Sequence, residues 1–237
     1  MARRKRINTN RLLDRDYEIL EHLMTYRFTT REVLHRQFFA DSELNAVSKV
    51  TTRLTKSEHL TRHEPVGNLV YFSLGKRGAK LFGAPARCAE KPGPQTLYTQ
   101  LGILGYCFGE KPQRTRLRVA TLLEKHPALL KKGVDSSQYV VDASTTPSLL
   151  SYVRIDGGGQ NDHVLRKIDA DIKCRLEIPL CASLMQSGRF QIACVTFTEE
   201  KQKELERKIP AQNFPCAVTV EVVPILSDLL PVLRAIP

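Results

Sequence analysis

Ser42-Glu43-Leu44-Asn45-Ala46-Val47-Ser48-Lys49-Val50-Thr51-Thr52-Arg53-Leu54-Thr55-Lys56 carries apolar side chains at Leu44, Val47, Val50 and Leu54, the spacing of one helix face. Asp41 or Ser42 is placed to cap this helix, which ends near Glu58. At 3.6 residues per turn, Asn45, Lys49, Thr52 and Lys56 gather within about 60° on the opposite side, flanked by Ser48 and Arg53. That side offers an amide, a hydroxyl and two ammonium groups, and no carboxylate. Such groups suit a major groove: Lys or Arg meets guanine acceptors, Asn meets adenine, and short hydroxyls meet phosphates or bases. A merely solvated helix face has the same composition, so the neighbouring segments decide between the two readings.

Upstream, Asp14 is placed to cap a helix running to about Met24, with Ile19, Leu20, Leu23 and Met24 as its apolar stripe. Thr29-Thr30-Arg31-Glu32 has capping-box spacing and predicts a second, short helix from Thr29 that buries Val33, Leu34 and Phe38. Downstream, Leu60 to Glu64 and Leu69 to Ser73 read as strands around Pro65-Val66-Gly67-Asn68, a hairpin tip. The order is helix, helix, helix, hairpin. Arg62, His63 and Asn68 near the tip, and the N-terminal Arg3-Arg4-Lys5-Arg6, bring further cationic or polar groups to this unit. Four consecutive basic residues suit a nuclear address, a solubility feature, or a flexible arm that neutralises phosphates or enters a minor groove; beside these helices the arm is the preferred reading.

Charge follows the same division. The 237 residues carry 36 Lys plus Arg against 25 Asp plus Glu, a net charge of +11. All of the surplus lies before residue 137, and the remainder of the chain is close to neutral. A basic half beside a neutral half predicts two units with different tasks, the basic one facing a polyanion. No apolar run approaches a membrane span and no signal-peptide core follows the arm, so the expected setting is the bacterial cytoplasm, on the nucleoid or a plasmid, with no membrane partner. The six cysteines have no metal-ligand spacing and read as reduced, mostly buried thiols; His59 and His63 read as part of a polar turn, and neither a metal nor a cofactor is expected.

The segment from Leu12 to Gly83 resembles a winged helix-turn-helix, and is similar in detail to the N-terminal domain of the replication-relaxation family of plasmids and conjugative elements. The stretches that carry the likeness are Asp14-Arg15-Asp16-Tyr17-Glu18-Ile19-Leu20, Tyr26-Arg27-Phe28-Thr29-Thr30 and Ser73-Leu74-Gly75-Lys76-Arg77-Gly78-Ala79-Lys80-Leu81. The resemblance covers about a third of the chain and implies a recognition helix from about Ser42 to Lys56 and a wing from Arg62 to Asn68. Its recognition helix is typically richer in Arg than this one, where Lys49, Arg53 and Lys56 are the cations. The DNA-contacting set expected on these grounds is Arg3, Arg4, Lys5, Arg6, Thr30, Asn45, Ser48, Lys49, Thr52, Arg53, Lys56, Arg62, His63 and Asn68.

Residues 84–96 hold several prolines and no apolar period, and read as a linker. The domain plan is therefore a basic arm over 1–11, the winged unit over 12–83, the linker, and an α/β domain over 97–237. In the last, helices are expected at Leu97 to Phe108, Leu117 to Lys125, Asp162 to Leu176 and Glu199 to Ile209. Strands are expected at Tyr139 to Val141, Leu149 to Ile155, Phe190 to Phe197 and Ala217 to Val223. Asp169, Asp171, Lys173 and Arg175 read as a solvated helix face. The strand, strand, helix, strand order resembles a degenerate PD-(D/E)XK, restriction-endonuclease-like core, in which two acids hold a divalent metal and a lysine orients water. Asp142 and Asp156 would be the acids, but two residues after Asp156 stands Gly158 where the lysine belongs; Lys167 is the only substitute, and Asp156-Gly157-Gly158-Gly159 suits either a tight turn or a phosphate cradle. The expectation is a non-enzymatic, homodimeric protein that binds double-stranded DNA as a transcriptional regulator of a plasmid or mobile element. The alternatives are an accessory factor for mobilisation or replication, working beside a relaxase or replication partner, and a metal-dependent nuclease.

Overall fold

The first helix, α1 (Asp14–Tyr26), begins one residue earlier than a cap at Asp14 requires: Leu13 is the flanking residue, and its N–H donates to the Asp16 carboxylate at 2.8 Å. These details come from a computed structural model that describes residues 12–63, 69–109 and 113–234. The arm Arg3, Arg4, Lys5 and Arg6, and Asn68 with the rest of the hairpin tip, lie outside the described residues. The protein is α+β, and the chain divides after Gly93 into two units.

In the first unit, α1 buries Ile19, Leu20 and Leu23. Phe28–Thr30 is then a short strand, β1, where the capping-box reading places a helix start. Its backbone pairs with β3 (Tyr71–Leu74), Phe28 opposite Ser73 and Thr30 opposite Tyr71. The second helix, α2 (Arg31–Phe38), therefore starts two residues later, with Thr30 as its cap accepting from the Val33 N–H at 3.3 Å. Phe39, beyond its end, takes the core position expected of Phe38. Next come α3 (Leu44–Lys56) and β2 (Leu60–Arg62), the latter antiparallel to β3, giving the sheet order β1-β3-β2.

Helix α4 (Lys76–Leu81) closes the unit over a tight approach. A Cβ built on Gly75 would sit 2.2 Å from the Glu58 carbonyl oxygen, and the Gly75 N–H donates to the His59 carbonyl at 2.8 Å. Only a residue without a side chain lets β3 meet the α3–β2 turn this closely. Residues 86–89 form a short 3₁₀ turn belonging to this unit, so the division falls at the far end of the proline-rich stretch.

The second unit opens with α5 (Pro94–Phe108) and carries a five-stranded sheet. Its strands are β4 (Arg114–Arg116), β5 (Tyr139–Asp142), β6 (Leu149–Ile155), β7 (Phe190–Thr196) and β8 (Ala217–Val222), hydrogen-bonded in that order. The first three are antiparallel; β6, β7 and β8 run parallel. Parallel pairing needs crossovers, which α7 (Asn161–Leu176), α8 (Pro179–Gln186) and α9 (Glu199–Lys208) supply, while α6 (Val119–Lys125) follows β4 and α10 (Ile225–Arg234) packs on α5. All seven residues of β7 are buried, as a central strand covered on both faces requires. Sequence periodicity misses β1, β4, α4, α8 and α10.

The solvated reading of the α7 face is corrected for two of its four residues. Asp169 and Lys173 do form an exposed pair at 2.7 Å. Arg175 is fully buried: its guanidinium lies 3.2 Å from the Tyr152 ring centroid and donates to the Asp135 carbonyl at 2.7 Å, with Asp171 beside it. A cation is tolerated there because an aromatic face, a carboxylate and a carbonyl replace its water. Among the cysteines, Cys107, Cys181 and Cys194 are buried, Cys88 and Cys216 are half-buried, Cys174 is exposed, and all six are free thiols. No helix among the described residues is long and apolar enough to cross a membrane.

Candidate nucleic-acid interface

Helix α3 presents two chemically distinct sides. Val47, Thr51 and Leu54 are buried against α1, α2 and the sheet, and the Thr51 hydroxyl is satisfied by the Val47 carbonyl at 2.9 Å. Leu44, expected in that stripe, is 41% exposed, because the first turn of the helix extends past the core and Thr51 occupies the inward position about two turns later. On the other side Asn45, Lys49, Thr52 and Lys56 are all exposed and Ser48 is half-exposed. Among the described residues neither Lys49 nor Lys56 is in an ion pair. Leu44–Lys56 contains no carboxylate, so nothing on the helix itself neutralises these ammonium groups.

The seating of that face depends on residues outside it. Glu43 flanks the N-terminus of α3 without a side-chain cap, so neither Asp41 nor Ser42 caps as expected. The turn is held instead from α2: His35 Nε2 donates to the Ser42 carbonyl at 2.8 Å, and Arg31 Nη2 donates to the Leu44 carbonyl at 3.3 Å. At the other end, Arg53 reaches across to α1 and binds the Asp16 carboxylate at 2.6 Å. Asp16 is 1% exposed and also accepts from Leu13, so a single buried carboxylate ties the start of α1 to the last turn of α3. Arg53 thus holds the helix in place.

Two further members of the expected contact set are internal. Thr30 is buried as the α2 cap. His63 is buried too; its Nε2 shares a 2.8 Å hydrogen bond with the Ser73 hydroxyl, and its ring stacks on Tyr71 at 4.7 Å. Burial and the nearby Lys91 charge keep His63 below its ordinary pKa. His59, equally buried rather than in a polar turn, is lowered by burial and by Arg77, with Asp16 opposing. His22, between Tyr26 and Phe38 and hydrogen-bonded to Thr29 at 2.9 Å, is lowered by burial to about 4. Arg62 is exposed at the end of β2, where the chain enters the hairpin tip. Exposed Lys76, Arg77 and Lys80 on α4 add cations that helical periodicity did not single out as contacts; their spacing in the sequence was the available signal.

The nuclease candidates in the second unit do not converge. Asp142 lies opposite Leu149 at the start of β6, whereas Asp156 follows Ile155 at its end. Six strand residues separate those ends by about 20 Å, far beyond the reach of one ion with contacts of about 2–2.6 Å. Each acid is also occupied. Asp142 accepts from Arg114 Nε at 3.1 Å and from the Ser144 backbone at 2.9 Å; burial opposes its ionised form, but Ser144 and Arg114 hold its pKa below the usual carboxylate value. Asp156 Oδ1 accepts from the Gly158 and Gly159 amides at 2.9 and 3.3 Å. The glycine loop is therefore a turn folded onto its own aspartate, and those two amides are not directed at a phosphate. Lys167 lies near Asp156 but on the opposite end of the sheet from Asp142. No cluster of three His, Cys, Asp or Glu able to hold a metal occurs among the described residues.

Compared with known protein families, with curated proteins and with solved structures, the chain matches none.

Proposed function

We propose that the first unit is a winged helix-turn-helix that binds double-stranded DNA, with α3 entering the major groove and the β2–β3 hairpin as the wing. The observation that carries this reading is the outward face of α3: Asn45, Lys49, Thr52 and Lys56 exposed together, free of carboxylates, on a helix whose opposite face is locked into the core. Lysines provide phosphate affinity, and the Asn45 amide is the group suited to read a base. By its likeness to the replication-relaxation family, the protein is read as a homodimeric regulator on a plasmid or mobile element, its second unit serving dimerisation or partner recruitment. An accessory role in mobilisation or replication uses the same DNA-binding face and differs in where the bound site lies.

Fluorescence anisotropy of the full chain on duplex DNA tests the proposal. Lys49→Met with Lys56→Met should weaken binding and flatten the log-affinity against log-salt slope by about 0.9 per lysine. Unchanged affinity and slope would reject α3 as the interface. Mapping the bound sites in a genome then separates regulator from mobilisation factor.

A further inference from the structure

A cavity of about 250 Å³ opens in the second unit where β6 ends and α7 begins. It is lined by Thr99 of α5, Gln138, Arg154, Asp156, His163 and Lys167, among others. Its wall is fixed by bonds that do not involve the cavity itself. Tyr98 donates to the Asp156 carbonyl at 2.9 Å, the Asp156 carboxylate holds the glycine turn, and Lys201 of α9 donates to the Gly159 carbonyl at 2.6 Å. Gly158 takes φ +81°, a conformation that suits glycine.

Two cationic groups keep bonding capacity toward this space. Lys167 is exposed and makes no ion pair among the described residues. Arg154 uses Nε, at 2.6 Å, and Nη2 on Asp171, which leaves Nη1 outside that pair. The one carboxylate in the lining, Asp156, is already satisfied by two amides and Thr196. One acceptor is the reverse case: Gln138 donates to Asp135 at 2.9 Å, but its Oε1 is buried with no hydrogen-bond partner. A buried acceptor without a donor is unfavourable and is relieved by a group that brings a hydroxyl. The volume is below that of pockets for drug-sized ligands, about 300–1,000 Å³, and the position, outside the carboxyl end of a parallel strand, is a common one for ligands in such sheets.

We propose that this cavity binds a small hydroxyl-bearing anion, a sugar phosphate or a hydroxy acid, with Lys167 and Arg154 on its charge and Gln138 accepting from a hydroxyl. The proposal is independent of the DNA-binding reading of the first unit. Isothermal titration calorimetry of the full chain with glucose 6-phosphate, gluconate and inorganic phosphate tests it, the first two arms telling phosphate from carboxylate. Saturable binding of glucose 6-phosphate or gluconate is expected, weakened about tenfold by Lys167→Gln, the usual scale for one charge-assisted hydrogen bond. Gln138→Leu should weaken the hydroxylated ligand more than inorganic phosphate. Circular dichroism confirms that both variants stay folded. The proposal is overturned by absence of saturable binding to either hydroxylated anion, by binding of inorganic phosphate alone, or by affinities that Lys167→Gln leaves unchanged. Displacement of the ligand by duplex DNA from a Lys49→Met, Lys56→Met protein would also overturn it, assigning the cavity to nucleic acid.

Discussion

Acid should unfold the first unit through His22. Burial holds this imidazole neutral, with a folded-state pKa of about 4 against 6.5 for the free group. Because the folded value lies below the unfolded one, the unfolded chain binds the proton first. The stability associated with neutral His22 is complete above 6.5 and is lost as pH falls through the interval down to about 4. Proton linkage with those two values gives a loss of about 2.5 kcal/mol between neutrality and about pH 4.5. His59 and His63 shift in the same direction and add to the loss. Urea-dependent hydrogen exchange of the Ile19 to Leu34 amides in the full chain reports opening of this unit alone. In His22→Gln, which has no imidazole to titrate but retains a donor able to reach Thr29, the drop over that interval should shrink by about 2.5 kcal/mol. Parallel curves for wild type and variant would refute the assignment, whatever their offset at neutrality.

Removing the Arg53 charge by Arg53→Met should destabilise the unit by about 2 kcal/mol, below the range for a fully buried pair because the arginine retains partial exposure; an Asp16–Arg53 double-mutant cycle in urea unfolding measures it, and additive losses would show the pair to be inert. Asn45→Ala should leave binding to random duplex nearly unchanged while flattening the preference among sequences, as read by selection from a randomised library; equal weakening on every sequence would remove Asn45 from base readout. Plasmid DNA incubated with the protein and Mg²⁺ or Mn²⁺ should stay supercoiled. Cleavage abolished by Asp156→Ala would show that Asp156 works without Asp142.

The helices of the first unit were legible because their apolar spacing and their core are the same fact: Ile19, Leu20, Leu23, Val47 and Leu54 pack where the periodicity puts them. The exposed set Asn45, Lys49, Thr52 and Lys56 was legible as the complement of that stripe. Arg53 was not, since an arginine beside the polar arc looks the same whether it points to solvent or to a carboxylate 37 positions earlier in the chain. The same ambiguity hid Thr30 and His63, polar residues whose partners come from backbone and from β3.

Strand β4 shows the limit most clearly. Arg114-Thr115-Arg116 has no strand-like alternation of apolar residues, yet Arg114 and Arg116 are 3% and 6% exposed. Arg114 is enclosed by Asp142, Glu221 and the Tyr106 ring, and Arg116 by Gln100 and the Ser137 carbonyl. Local order along the chain determined where helices and most strands form, through the period of apolar side chains, and it determined the sign of the first unit's charge. Which charged groups reach solvent, and that Asp142 and Asp156 stand at opposite ends of the paired strands β5 and β6, were decided by tertiary structure. A buried charge is stable only when distant segments bring its counter-charge and hydrogen bonds to it, and that meeting leaves no local pattern to read.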